Sequence, residues 1–116
     1  RKTIQEIAAD RAALVGRARE GKLQRDDLAD GTFTISNLGM FGIEQFVAVL
    51  NPPQVAILAV GGARRAPVES AADRIAFSDL LTATLSCDHR VVDGAGGARF
   101  LSRLRELLER PLALAL

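Results

Sequence analysis

Tryptophan and tyrosine are absent from this 116-residue chain, and phenylalanine occurs only five times. Proteins that bind single-stranded nucleic acid stack bases on such rings, so that class loses its main support. Charge offers no substitute. Fifteen Lys and Arg face fourteen Asp and Glu, and a formal charge of +1 is too small to draw nucleic acid or an anionic membrane. No apolar run approaches the roughly 20 residues that span a bilayer. The amphipathic, charged opening does not read as a secretory signal. One cysteine, Cys87, cannot close a disulfide within the chain. With one histidine, His89, it cannot complete a tetrahedral zinc site either. The expectation is therefore no metal, no nucleic-acid partner and no membrane partner.

What remains is a soluble globular composition, 48% apolar and 25% charged, at a length of one domain or part of one. In TIQEIAADRAALVGRAREG, Ile4, Ile7, Ala8, Leu14, Val15 and Ala18 recur at helical spacing, with Arg11 the polar exception. Thr3 and Glu6 fit a capping box, and Gly21 a stop. Phe33 and Ile35 alternate with Thr32, Thr34 and Ser36, predicting a short strand broken by Asn37, Gly39 and Gly42. The pair Pro52-Pro53 cannot sit within a sheet, so FVAVL and VAILAV read as two strands on either side of it. Val55 to Val60, apolar throughout, is expected to be central. ARRAPVESAADR reads as a polar connection with Arg64 and Arg65 solvated. Leu81, Ala83, Leu85 and Cys87 alternate with Thr82, Thr84 and Ser86, the clearest strand pattern in the chain. A second helix follows, with Gly97, Phe100, Leu101, Leu104, Leu107 and Leu108 on one face, ending before Pro111. Strands gathered between two helices predict an α+β fold with a mixed or largely antiparallel sheet. The apolar ending LALAL is unusual for an exposed terminus, and is expected to fold back or to dock on another chain.

The one imidazole lies in TLSCDHRVVDGAGGARFL, where a strand gives way to a helix. Gly94, Gly96 and Gly97 follow an acid and lack the lysine of a phosphate loop. A turn histidine without chemistry and a general base both remain open. Position beyond a strand end adds weight to the base, since an imidazole is suited to accept a proton near neutral pH.

SCDHRVVDG matches the D-H-R-x-x-D-G signature of dihydrolipoyl acyltransferases, the core components of 2-oxo acid dehydrogenase complexes. GTFTISNLGMFG and LNPPQVAILAVG are similar to that family's two other hallmark segments, in its order and approximate spacing. Among the branches, NLGMFG most resembles the acetyltransferase of the pyruvate dehydrogenase complex. The related chloramphenicol acetyltransferases carry H-H-x-x-x-D-G, from which Asp88 departs.

The resemblance implies an α/β, chloramphenicol-acetyltransferase-like two-layer sandwich, its mixed and mostly antiparallel sheet carrying helices on one face. Catalytic domains of the family run to about twice this length. Residues 1–116 are thus expected to be the C-terminal part of one such domain, without lipoyl or peripheral-subunit-binding domains. The implied reaction moves an acyl group, acetyl for this branch, between dihydrolipoamide and coenzyme A. His89 would be the base and Ser36 the oxyanion donor. Asp93 would support the site, although its position before Gly94 equally suits a helix N-cap. Coenzyme A would be a substrate, and the lipoyl group would ride on a domain not present in this chain. The implied partners are further copies, as trimers within a 24- or 60-chain core with His89 and Ser36 contributed by neighbouring subunits. Lipoyl domains, and the decarboxylase and dihydrolipoyl dehydrogenase components through the absent domains, complete the set. The compartment would be the bacterial cytoplasm or the mitochondrial matrix. Branched-chain or succinyl specificity, and a non-catalytic scaffold, are the alternatives. A scaffold needs neither His89 nor Ser36.

Overall fold

The computed structural model describes residues 2–115, in two units: the residues up to Gly31 with those from Leu104 on, and Thr32–Arg103.

The first unit opens with α1, Ile4–Arg19. Thr3 Oγ1 accepts the Glu6 N–H at 3.3 Å while the Glu6 carboxylate accepts the Thr3 N–H at 2.6 Å, the reciprocal cap that the spacing predicts. The helix stops at Gly21, whose φ of +68° glycine adopts without steric cost. There the Gly21 N–H reaches the Ala18 carbonyl, and the Lys22 N–H the Arg17 carbonyl, a Schellman closure. Arg17 grips Asp27 with hydrogen bonds of 2.6 and 3.0 Å, and Asp27 also accepts the Gln24 N–H. The Arg17 guanidinium holds the Asp27 carboxyl below the usual carboxylate range. No residue of α1 is buried.

In the second unit β1 (Thr34–Asn37), β2 (Ala56–Val60) and β5 (Ala83–Cys87) form a sheet in the order β1-β2-β5. Central β2 runs parallel to β1 and antiparallel to β5, a mixed sheet as expected. Ala56, Ile57, Leu58 and Ala59 are buried in succession, the mark of a strand covered on both faces. Burying Ile57 and Leu58 stabilises by roughly 1.5–3 kcal/mol each. Helix α2 (Gly94–Glu109) begins in this unit, and its Phe100 ring lies 5.7 Å from that of Phe33.

Three expectations need correction. Arg64–Ser70 (β3) and Arg74–Leu80 (β4) pair as an antiparallel hairpin where a polar connection was expected. Only Ala66 of this ribbon is buried, so it carries no apolar periodicity to betray it. The strand expected from Leu81 begins only at Ala83, because Leu81 and Thr82 part it from β4 and the Thr82 carbonyl accepts the Gly61 N–H. Burial along β5 is also even, without the expected alternation. The run Phe46–Leu50 pairs with no strand among the described residues. Exposure alternates along it, with Val47 and Val49 at 75% and 88%. A two-residue period reports extended backbone and does not by itself supply a ladder partner.

After Pro111 the chain makes one further helical turn, α3 (Leu112–Ala115), with Leu112 exposed. The expectation for the LALAL tail extends to Leu116, which lies outside the described residues.

Candidate active site

His89 sits in the turn that joins β5 to α2. The Asp88 N–H bonds the Val55 carbonyl at 2.8 Å, extending the β2–β5 ladder by one rung, and the Asp88 carbonyl accepts the N–H groups of Val91 and Val92. Arg90 answers from the other side of His89. Its guanidinium donates to both carboxylate oxygens of Asp88 at 2.7–3.1 Å, and its N–H adds a bond of 3.0 Å. Hydrogen bonds from Arg90 bring the Asp88 carboxyl down to about 2, so it is ionised at neutral pH. His89 itself is exposed.

Asp93 ends the turn. Its carboxylate accepts the Gly96 N–H at 2.6 Å, and its carbonyl accepts the Gly97 N–H at 3.1 Å. It therefore caps α2, where an anion also meets the positive end of the helix dipole. A recess of ≈ 330 Å³ lies between β5 and the first turns of α2, lined by Leu85, Cys87, Val92, Gly97 and Leu101, with His89 and Asp93 on its wall. Gly97 lets the helix approach, since a Cβ there would already touch Cys87 Sγ and Leu85 Cδ2 at 3.8 Å. Cys87 is half-buried and faces this recess.

Ser36 is elsewhere. It lies level with Ala59 in β2, and Ala59 with Thr84 in β5. Cross-strand partners share a face, so Ser36 is on the face opposite that of Leu85 and Cys87. His89 stands two residues beyond Cys87, which is level with Ala56, at the other end of the sheet. Ala59 and Ala56 are three residues apart along β2, about 10 Å at ~3.3 Å per residue, and the turn that holds His89 lies beyond that end. The structure thus brings His89 and Asp93 together and leaves Ser36 apart from both.

Backbone contacts build the Ser36 end. The segment after β1 folds over the end of β2, with Leu38 N–H on the Val60 carbonyl and Gly62 N–H on the Ile43 carbonyl. A Cβ on Gly61 would stand 1.8 Å from the Glu44 carbonyl oxygen, and one on Gly39 would stand 2.8 Å from Gly62 Cα. That these glycines meet was missed from the sequence. Their only sequence signal was the pairing of NLGMFG with AVGG, and nothing local says that the two touch. Among the described residues no three His, Cys, Asp or Glu side chains gather as a metal group would require.

Solved acyltransferase cores superpose on this fold. The dihydrolipoamide acetyltransferase of Azotobacter vinelandii superposes with a TM-score of 0.92 at 40% identity, over 100% of this chain and 47% of that one. The structure of the cubic core of a pyruvate dehydrogenase multienzyme complex superposes equally well, with the same identity and coverage. Residues 1–116 match the profile of the 2-oxoacid dehydrogenases acyltransferase (catalytic domain) family, and the chain belongs to that family. The dihydrolipoyllysine-residue acetyltransferase component of the pyruvate dehydrogenase complex of Zymomonas mobilis is 46% identical over 113 residues, 97% of this chain and 26% of that protein. The chain thus spans about a quarter of that relative and just under half of the solved cores.

The Azotobacter vinelandii structure belongs to a study of a serine, a histidine and an asparagine in the catalytic mechanism. The asparagine there lies four positions after the histidine, as Asp93 lies four after His89. The serine lies 52 before it, where Ser36 lies 53 before His89.

Proposed function

We propose that this chain is the histidine-bearing, C-terminal part of an acyltransferase catalytic domain that moves an acetyl group between dihydrolipoamide and coenzyme A. The observation that carries the reading is the turn Asp88–Asp93, which presents an exposed imidazole on the wall of an apolar recess, beside a capped helix. A thiol with a pKa near 8.5 is only a few per cent thiolate at neutral pH. His89 takes the proton of the attacking thiol, and the sulfur forms a bond to the thioester carbonyl carbon. The carbonyl electron pair moves to oxygen, where the Ser36 hydroxyl donates a hydrogen bond. Collapse of the tetrahedral adduct breaks the original C–S bond, and the departing sulfur takes the proton back from His89. Asp93 keeps α2, and with it the recess wall, in register.

Within one chain Ser36 and His89 stand at opposite ends of the sheet, with Ser36 on the face away from the recess that His89 lines, so they do not meet at one carbonyl. The reaction therefore needs Ser36 from a second copy, and trimers supply it, assembled into a larger core through further contacts. Exposed Ile35, Met40, Phe41, Val47 and Val49 in the unit that holds Ser36 are the apolar surface such assembly would cover.

The test is acetyl transfer from acetyl-dihydrolipoamide to coenzyme A by the complete protein. His89→Ala should lower it by roughly 10²–10⁴-fold while the particle size is unchanged. Near-normal turnover in that variant would remove His89 from the chemistry.

A further inference from the structure

His89 is flanked by two residues that hold each other. Arg90 donates four hydrogen bonds to the Asp88 carboxylate, three from its side chain and one from its backbone, all at 2.7–3.1 Å. The rest of Asp88 is equally engaged: its N–H is on β2 at Val55, and its carbonyl on Val91 and Val92. Exposure of the pair is lopsided, 17% for the Asp88 side chain and 89% for Arg90. An ion pair so open to water adds little to stability. What a two-pronged clasp across one residue does accomplish is to fix the backbone on both sides of that residue.

We propose that Asp88 and Arg90 are positioning residues, whose clasp sets where the His89 imidazole stands relative to the substrate thiol. This rests on His89 being the base. A general base works only within about 2.6–3.2 Å of the group whose proton it takes. A displacement near 1 Å can cost on the order of 100-fold in rate. The planar guanidinium fork is what the clasp requires, and a lysine ammonium, although equally charged, cannot reproduce it.

That distinction supplies the experiment. In the complete, assembled protein, kcat and both KM values for acetyl transfer are measured for Arg90→Lys, Arg90→Gln, Asp88→Asn, the double variant Asp88→Asn/Arg90→Gln, and His89→Gln. Thermal midpoints are recorded alongside. The expected result is a loss of about 10- to 100-fold in kcat for Arg90→Lys and Arg90→Gln alike. Both KM values should stay within about twofold, with midpoints near wild type and the double variant no slower than either single one. Full activity in Arg90→Lys with loss in Arg90→Gln would overturn the proposal in favour of a charge effect. Unchanged kcat in Arg90→Gln beside an inactive His89→Gln would overturn positioning and leave the base intact. An active His89→Gln would remove the base and the proposal with it. Should Asp88→Asn fail to fold, the two Arg90 variants still decide, because that side chain lies in solvent.

Discussion

The two ends of the β1-β2-β5 sheet are built by different means. At the His89 end the geometry comes from side chains close in sequence: Asp88 on Arg90, and Asp93 on the Gly96 N–H. At the Ser36 end it comes from backbone against backbone across long stretches of chain, Gly61 against Glu44 and Gly39 against Gly62. The first kind can be altered atom by atom, and each change should be read in rate. The second has no room for even one carbon, and a change should be read in folding.

The harshest way to test that contrast is a single methyl group. Gly61→Ala is expected to destabilise by on the order of 3 kcal/mol or more and to lose transfer together with folding, since the Cβ meets backbone that cannot swing aside. Gly94→Ala, at the other end, has open space around it and should leave both thermal midpoint and activity near wild type. Equal tolerance at the two glycines would erase the distinction. Next in size, His89→Ala should lower kcat by roughly 10²–10⁴-fold with an unchanged melting curve. Ser36→Ala should lower kcat by about 10²–10³-fold with little change in KM, because an oxyanion donor acts mainly in the transition state. A defect in Ser36→Ala confined to KM or to stability would make that serine structural.

The smallest effect is in acid. Asp88 has its folded pKa depressed to about 2 by Arg90, against an ordinary value near 3.9 when unfolded. Its contribution to stability is therefore present above pH 4 and is lost as pH falls through 2. The difference in thermal midpoint between wild type and Asp88→Asn should shrink over that window. A constant difference from pH 5 down to pH 2 would show that the ion pair is not what Asp88 contributes.

The same contrast explains what the sequence disclosed. Thr3 with Glu6, Gly21, Val55–Val60 and the second helix were legible because caps, stops and periodicity act over a few residues. The turn with His89 was legible for the same reason, and family wording attached a role to it. The β3–β4 hairpin was not, since a ribbon with one buried side chain leaves no apolar pattern. Phe46–Leu50 misled in the opposite sense, an apolar run with no ladder partner among the described residues. Gly39, Gly61 and Gly62 could not be placed together from spacing, because their contact is a tertiary close approach. The separation of Ser36 from His89 required the strand register, and two residues named for one reaction proved to lie at opposite ends and on opposite faces.

That separation is tested most directly by mixing two dead proteins. His89→Ala and Ser36→Ala versions of the complete protein are co-refolded at equal amounts, and acetyl transfer is assayed against each alone. If each site joins His89 of one copy to Ser36 of another, random assembly leaves about a quarter of the sites intact, and the mixture regains about that share of wild-type activity. A mixture as inactive as its parents, despite verified mixed particles, would mean that both residues must come from the same chain, and would contradict the shared site.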